Sequence, residues 1–445
     1  MTDIHDDAIR LTLTAGLDRA LAWEGGGSVR YLVADLTAAG GRAAARQAPP
    51  LNLALAIDVS GSMAGDKLDA ARRTAVAVTE TLGPRDRLTV VAFAGDASLL
   101  LDARPMDPAG RRAAVQAIGR LRVRGNTNLF AGWLLAAEHV AIAMAAEAGA
   151  SHQLLVLSDG ETNQGITDWS ELAQHAGELL KRGIVTSCVG IGDGYDEELL
   201  GAMAEAGGGR LHDAGAAHEI AEVVLGELGE SRDALIERAT LRLSVPATIR
   251  AEVVGAWSQA VLPGAIEVLV GTLLPDRPKR VVFRLHGPKG AAGTALLLGV
   301  SAGGALPEKA GLAEARPAEV ELRLVGGREN TAQPRDADRS LAAVEAWQAE
   351  VLRQAVRMNR EGDRRAARHF LERELRWMER YARGIAAAEP LLAELVLMLR
   401  RVGEEWDERT RKEVFAASYQ RLHGEADLRA APPPSISKRF SRPDR

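Results

Sequence analysis

Between about residues 50 and 230, short apolar runs alternate with segments of amphipathic helical spacing. The apolar runs are candidate strands, at Leu51–Ile57, Leu88–Phe93, Gln153–Leu157, Val185–Ile191 and Arg210–Asp213. Several are almost continuous in Leu, Val, Ile and Ala, which is typical of strands covered on both faces. Helices are predicted between them, near 66–82, 107–121, 129–148, 168–182, 196–206 and 217–230. This alternation predicts an α/β fold with a doubly wound, mostly parallel sheet, placed in a domain at 48–230.

The segments on either side of this domain have a different pattern, in which apolar and polar residues alternate as in half-buried strands. Such strands are predicted at 9–14, 29–36, 240–245, 250–254, 266–274, 280–286, 294–301 and 319–325. We expect residues 1–47 and 235–330 to build one antiparallel β-sandwich, into which the α/β domain is inserted. A hairpin as short as the N-terminal one is not stable alone, so it should pair with the later strands.

A third region, at 336–425, has helical periodicity. Apolar residues at Leu341, Val344, Trp347 and Val351 share one face of a helix, and Glu361-Gly362-Asp363 ends it. Three further helices are predicted after this break, so the region should form a helical hairpin or small bundle packed on the sandwich. The Pro-rich, basic tail at 430–445 is predicted to be disordered.

Composition narrows the class of protein. The chain has 445 residues and a net charge of −5, so nothing favours binding to nucleic acid or to an anionic membrane. Its only cysteine, Cys188, lies in an apolar strand pattern and is predicted to be an inert buried thiol. The first residues lack a basic start followed by an apolar core, and no apolar run is long enough to span a bilayer. We therefore predict a cytoplasmic protein.

Polar oxygen-bearing residues collect where the predicted parallel strands end. Asp58, Ser60 and Ser62 follow the first strand, Thr127 lies in the Gly-Asn-Thr-Asn loop before a helix, and Asp159 follows the strand QLLVLS. Doubly wound sheets bind ligands at the carboxyl ends of their strands, so these side chains should lie close together. Two carboxylates and three hydroxyls, without a convergent His or Cys, suit a hard divalent cation.

These motifs resemble a known family. AIDVSGSM, GNTNL and VLSDG match, in order and spacing, the metal-ion-dependent adhesion site of the von Willebrand factor type A (VWA) domain, with all five ligand positions filled. The resemblance covers about residues 48–228. The flanks are similar to those of bacterial VWA proteins described as chloride-channel-like and, distantly, to inter-α-trypsin inhibitor heavy chains.

The resemblance implies a role for each of the five residues. Ser60 and Ser62 would coordinate Mg²⁺ directly, and Thr127 would bind directly or through water. Asp58 and Asp159 would act mainly through bound waters, and Mn²⁺ or Ca²⁺ are possible substitutes for Mg²⁺. The last coordination position would accept a Glu or Asp side chain from a protein partner. The resemblance therefore implies a metal-dependent protein-binding module in an adaptor or scaffold, and not an enzyme.

Two alternatives remain open at this stage. A haloacid-dehalogenase-like phosphohydrolase would use Asp58 as nucleophile, and Gly192-Asp193-Gly194-Tyr195-Asp196 imitates a motif of that class. That chemistry needs an acid two residues after the nucleophile, where this chain has Ser60. The second alternative is a scaffold that acts through its C-terminal helices while the metal site is idle. The sequence does not identify the partner or the oligomeric state.

Overall fold

The structure is a computed structural model, which describes residues 9–40, 49–145, 149–160, 162–255, 257–306 and 311–423. The predicted disordered tail at 430–445 lies outside these residues. The chain divides into two compact units. The central unit comprises Arg42–Arg238 and Ala305–Leu312, and the flanking unit comprises Met1–Gly41, Ala239–Gly304 and Ala313–Arg445.

The described residues contain strands and helices with the following bounds. The strands are β1 (Arg10–Leu17), β2 (Leu21–Trp23), β3 (Val29–Ala39), β4 (Leu51–Asp58), β5 (Arg87–Phe93), β6 (Ala97–Pro105), β7 (Ser151–Ser158), β8 (Ile184–Ile191), β9 (Gly208–Ala214), β10 (Ile236–Ser244), β11 (Arg250–Val253), β12 (Gln259–Leu262), β13 (Ala265–Leu273), β14 (Lys279–His286), β15 (Ala295–Ala305), β16 (Leu312–Glu314) and β17 (Ala318–Val325). The helices are α1 (Asp66–Thr81), α2 (Pro108–Ile118), α3 (Leu129–Met144), α4 (Trp169–Lys181), α5 (Glu197–Ala206), α6 (Ile220–Arg232), α7 (Gly327–Ala332), α8 (Ala337–Arg360), α9 (Arg364–Ala382), α10 (Glu389–Arg401) and α11 (Glu408–His423).

The central unit is built on one six-stranded sheet in the order β6-β5-β4-β7-β8-β9. Every pair is parallel except β5–β6, so the predicted doubly wound, mostly parallel sheet is confirmed. All eight residues of β4 are buried, because β4 lies at the centre of the sheet with helices on both faces. After β5 and β6 the chain returns to place β7 on the other side of β4. The carboxyl ends of β4 and β7 therefore meet where the strand order reverses, which is the usual ligand crevice of such sheets.

One strand of this sheet was not predicted. β6 is an antiparallel edge strand that follows β5 through a tight hairpin at Ala94–Asp96, where the Ala94 amide donates to the Asp96 carbonyl at 2.8 Å. Its side chains are exposed or half-buried except for that of Leu101, as in a strand at the edge of a sheet. The expectation that each strand would be followed by a helix was wrong at this position.

The flanking unit contains two sheets, in the orders β1-β3-β14-β11 and β12-β13-β10-β15-β17-β2, with β16 paired to β15. The N-terminal hairpin pairs with a later strand as expected, since Leu36 of β3 lies opposite Lys279 of β14. Three short strands, β2, β12 and β16, were not predicted. The second sheet is also not entirely antiparallel, because β2 runs parallel to β17. A three-residue strand such as β2 carries too little periodicity to be seen in sequence.

The C-terminal helices form a small bundle within the flanking unit, as predicted. Apolar side chains of α8, α9, α10 and α11 share one buried cluster with Tyr31, Val33 and Val282 of the first sheet. Leu32 and Phe283, which alternate with these residues along β3 and β14, are buried on the opposite face. The four-stranded sheet is therefore covered on both faces, by the helices on one and within the sandwich on the other.

Asp18 links the N-terminal hairpin to this bundle. Its completely buried carboxylate accepts hydrogen bonds from the Tyr31 amide at 2.7 Å and from the Tyr381 hydroxyl at 2.9 Å. Burial, together with the negative charge of Asp18, raises the pKa of Tyr381. The phenol therefore stays protonated and acts as the donor of this hydrogen bond.

Two further expectations concern the whole chain. Cys188 is completely buried in β8, and burial raises the pKa of its thiol, so it is a poor nucleophile as predicted. Within the ranges that the structure describes, we find no helix both long and apolar enough to cross a membrane.

Candidate metal centre

The carboxyl ends of β4 and β7 bring two carboxylates together at the reversal of strand order. The two strands pair in parallel register up to Ile57 and Leu157. Asp58 directly follows Ile57, and Asp159 follows Leu157 after one intervening residue. Both carboxylates are buried, at 0% and 1% relative exposure. Two buried negative charges at one edge of a sheet need compensation by hydrogen bonds or by a cation.

Both oxygens of Asp58 are held by neighbouring donors. Its Oδ1 accepts from the Ser60 amide at 2.8 Å, which forms the turn after the strand, and its Oδ2 accepts from the Ser158 hydroxyl at 2.6 Å. Burial raises the pKa of Asp58, and the nearby Asp159 raises it further, while the hydrogen bonds from Ser158 and Ser60 oppose this rise. Asp58 therefore shapes the loop and supplies charge, and a cation at this edge would favour its ionised form.

The two serines lie next to the second carboxylate. The Oγ atoms of Ser60 and Ser62 are 3.1 Å apart, and the Ser62 hydroxyl donates to Asp159 Oδ1 at 2.7 Å. Ser60 is buried, whereas Ser62 is exposed to solvent. These oxygens form a short row from the buried end of β4 to the surface.

Thr127 is held against this row by its own loop. The Arg124 amide donates to the Val59 carbonyl at 2.6 Å, and the Gly61 amide donates to the Gly125 carbonyl at 3.1 Å, so the loop that precedes α3 runs along the serine turn. The Thr127 amide donates to Asn163 Oδ1 at 3.0 Å, and the Asn163 amide returns a bond to the Thr127 carbonyl at 3.1 Å. These backbone bonds fix the position of Thr127, which is 4% exposed.

Gly160 keeps the space between these side chains open. A Cβ atom added to it would lie 3.3 Å from Ser62 Oγ and 3.5 Å from Thr127 Oγ1. Ser62 and Thr127, which are 65 residues apart in sequence, therefore face the same small space. The structure thus brings all five predicted residues to one end of the sheet.

Lys67 is a charged neighbour of this centre that the sequence reasoning did not identify. Its ammonium forms an ion pair with Asp159 Oδ2, so both oxygens of Asp159 are in contact, one with Lys67 and one with Ser62. Ser158 and Asn163 were missed as well. Ser158 could have been found, because it is the polar last residue of β7 and directly follows an apolar run. Nothing in the sequence indicates that Lys67 contacts Asp159.

The donor set fits a hard divalent cation. Mg²⁺ prefers oxygen ligands at about 2.0–2.1 Å in octahedral geometry and keeps several of its waters, so a few hydroxyls and carboxylates are enough to hold it. The hydroxyl oxygens of Ser60 and Ser62, which are 3.1 Å apart, are ligands of this kind. Within the described part of the chain no group of three or more His, Cys, Asp or Glu side chains is placed to hold a metal. A cation at this edge would therefore depend on hydroxyls and on the two carboxylates.

The acidic loop after β8 leads into α5, and its last acid caps that helix. Asp196, the last acid of Gly192–Asp196, accepts hydrogen bonds from the Glu198 and Leu199 amides at 3.0 and 3.1 Å and so caps the N-terminus of α5. Its Oδ1 atom accepts both hydrogen bonds, which agrees with the simpler interpretation of this segment as a loop that leads into a helix.

Comparison with known proteins finds similarity to the von Willebrand factor type A domain in the central part of the chain. The sequence profile of the von Willebrand factor type A domain matches residues 52–223. The uncharacterized protein sll0103 of Synechocystis is 31% identical over 169 residues, a match that covers 36% of this chain and 37% of that protein. Inter alpha-trypsin inhibitor, heavy chain 4, of Mus musculus is 28% identical over 165 residues, which is 36% of this chain and 17% of the relative. The chain thus spans little more than a third of the length of these curated relatives, or less.

Solved structures match the chain over most of its length. A von Willebrand factor type A protein from Catenulispora acidiphila has a TM-score of 0.71 at 17% identity, covering 94% of this chain and 98% of the other. The ArnB paralog VWA2 from Sulfolobus acidocaldarius has a TM-score of 0.57 at 15% identity, covering 93% and 99%. At these identities the likeness concerns the fold, and it includes the strands and helices that flank the central unit.

Proposed function

We propose that the von Willebrand factor type A domain formed by residues 52–223 is a divalent-metal-dependent protein-binding module in a cytoplasmic adaptor or scaffold. The observation that carries the proposal is the row of oxygens at the ends of β4 and β7, which begins in buried carboxylates and ends at Ser62, an exposed residue. A cation held there is protected on the protein side and accessible on the solvent side.

Five residues would hold the cation. We assign Ser60, Ser62 and Thr127 as hydroxyl donors, and Asp58 and Asp159 as the charges that stabilise the ion. When bound, Mg²⁺ would supply an electrophilic centre for a carboxylate oxygen of a protein partner. Because both oxygens of Asp58 already accept hydrogen bonds from Ser60 and Ser158, this residue is better suited to act through water than by direct contact.

The arrangement favours binding over catalysis. A phosphohydrolase that used Asp58 as nucleophile would need a free carboxylate oxygen and a nearby acid, but Asp58 is completely buried and its oxygens accept from Ser60 and Ser158. The position of the acid is occupied by Ser60, whose hydroxyl is a poor proton donor at neutral pH. We therefore propose a non-enzymatic module.

A Mg²⁺ titration of the full chain, monitored by calorimetry after EDTA treatment, tests the metal site. Thr127→Val keeps the shape of the side chain but removes its oxygen, and Ser62→Ala changes an exposed position, so neither should disturb the fold. We expect both variants to bind Mg²⁺ at least about tenfold more weakly than the parent. Thr127→Ser, which keeps the hydroxyl, is the matched control and should bind nearly as well. Equal affinity in all four proteins would refute the site.

A further inference from the structure

The structure assigns to Lys67 a role in setting the charge of the metal centre, an inference that rests on the proposed metal-binding function. We propose that Lys67 weakens the binding of the metal and in return makes the loaded site net positive, so that the site selects an anionic ligand. Lys67 is thus a specificity-determining residue for the acidic side chain that completes the site.

The position of Lys67 is fixed from two sides. Its ammonium pairs with Asp159 Oδ2, and the Asp159 carboxylate has no solvent exposure, while the lysine side chain is 34% exposed. On the other side, the loop after β8 approaches closely, since a Cβ added at Gly192 would lie 3.4 Å from Lys67 Cε and 3.6 Å from its Nζ. Gly192 has a φ of +71° and thus a conformation that favours glycine. The ion pair with Asp159 and the close approach of the loop at Gly192 therefore fix the position of the lysine ammonium.

Formal charges show what this ion pair changes. Asp159 and Lys67 are in direct contact, and Asp58 lies at the end of the neighbouring strand; when all three are ionised, they together carry a formal charge of −1. A divalent cation would bring the site to +1, and a single carboxylate from a partner would then neutralise it. Without Lys67 the two aspartates alone would neutralise the cation, and an additional carboxylate would leave the site negative. The lysine thus links metal loading to the recognition of an acidic group.

Lys67 also repels the metal itself. It shares Asp159 with the cation site, because Ser62 contacts one oxygen of this carboxylate and Lys67 contacts the other. Removing the lysine leaves a buried carboxylate without its counter-ion, and a divalent cation would replace that counter-ion. We therefore expect Lys67→Met to bind Mg²⁺ about tenfold more tightly, an estimate that allows for solvent screening of a side chain that is one third exposed.

The test compares Mg²⁺ affinity, with the metal alone as probe, in the full-length parent and three variants. Lys67→Met should bind about tenfold more tightly, whereas Lys67→Arg keeps the charge and should stay within about twofold of the parent. Lys181→Met is the matched control, because it removes the same charge from an exposed lysine at the far end of α4 and should leave the affinity unchanged. The addition of saturating Mg²⁺ should also raise the melting temperature of Lys67→Met by more than that of the parent.

A second arm measures ligand choice at saturating Mg²⁺, using a synthetic peptide with one Glu flanked by Gly and Ser. Lys67→Met should bind this peptide about tenfold more weakly than the parent. If the parent binds Mg²⁺ and Lys67→Met has the same affinity for it, the role of Lys67 is refuted while the metal site stands. If only Lys67→Met binds Mg²⁺, the parent is not a metal-dependent module, so the proposed function and the role of Lys67 in ligand choice both fail. If neither protein binds Mg²⁺, both the proposed function and this inference fail.

Discussion

Substitution of Gly160 by Ala tests whether the small space at the strand ends is the metal site. The added methyl group would lie 3.3 Å from Ser62 Oγ and 3.5 Å from Thr127 Oγ1, between two of the proposed hydroxyl ligands. The φ of Gly160 lies outside the left-handed region, so an alanine is not strained at this position. The substitution therefore changes the space around the proposed ligands without changing the backbone.

We expect Gly160→Ala to leave the stability of the protein nearly unchanged and to weaken its binding of the metal. An alanine at a compatible backbone position stabilises a protein by about 0.4–1 kcal/mol through the unfolded chain, which offsets the cost of the close contact with the Ser62 hydroxyl. The stability should thus stay within about 1 kcal/mol of the parent. The methyl group displaces a ligand oxygen or an ordered water, and changes of this kind next to a metal lower its affinity by about 10–100-fold.

Gly125→Ala is a matched control for this experiment. Gly125 lies in the loop that carries Thr127, next to the serine turn, since its carbonyl accepts a hydrogen bond from the Gly61 amide. A Cβ atom added to Gly125, however, meets no atom within 4 Å. Calorimetric titration with Mg²⁺ should separate the two variants, and urea unfolding should find both as stable as the parent. Parent-like Mg²⁺ affinity in Gly160→Ala would refute the placement of the metal in this space.

Two further predictions concern stability. The pKa of Glu227 in α6 lies at about 2, below its ordinary value of 4.5, because Arg210 and His212 outweigh the opposing effect of burial. This depressed pKa contributes roughly 3 kcal/mol at most, which is fully present above pH 4.5 and is lost as the pH falls towards 2. The stability gap between the parent and Glu227→Gln should therefore shrink from pH 6 to pH 3 in urea unfolding, and a constant gap would contradict the assignment. In the flanking unit, Asp18→Ala leaves the Tyr31 amide and the Tyr381 hydroxyl without their acceptor and should cost about 3 kcal/mol, whereas Asp18→Asn, which keeps one acceptor oxygen, should cost less. Equal losses in the two Asp18 variants would contradict the stabilising role of these hydrogen bonds and would favour the ion pair of Asp18 with Arg19.

The sequence predicted the elements whose periodicity is long and undisturbed. β4 could be recognised because its apolar run matches burial on both faces, and α8 because an apolar stripe recurs along most of this helix of 24 residues. β6 could not, because an edge strand in contact with solvent has no regular alternation, and its pairing with β5 depends on a hairpin. β2 has only three residues and pairs with β17, which is distant in sequence. β12 has only four residues, all of them exposed, so neither strand has a recognisable sequence pattern.

The residues of the candidate site divide in a similar way. The sequence predicted the five oxygen-bearing residues because they follow apolar strands or precede a helix, where polar side chains must find partners. They are Asp58, Ser60, Ser62, Thr127 and Asp159. Lys67 and Gly160 could not be assigned a role, because their importance depends on distances across the fold. The ion pair of Lys67 joins residues 92 positions apart, and the space beside Gly160 exists only when two loops meet. Spacing alone cannot show such contacts.

The most direct test of the central claim compares peptides that differ in one carboxylate. A panel of peptides with one central Glu, each matched by the same peptide with Gln, is titrated against the full chain in Mg²⁺ and again in EDTA. The account predicts that the tightest Glu peptide binds in Mg²⁺, that its affinity falls at least about tenfold in EDTA, and that its Gln counterpart is weaker by a similar factor. Binding that persists unchanged in EDTA, or that does not distinguish Glu from Gln, would contradict a metal site completed by the carboxylate of a partner.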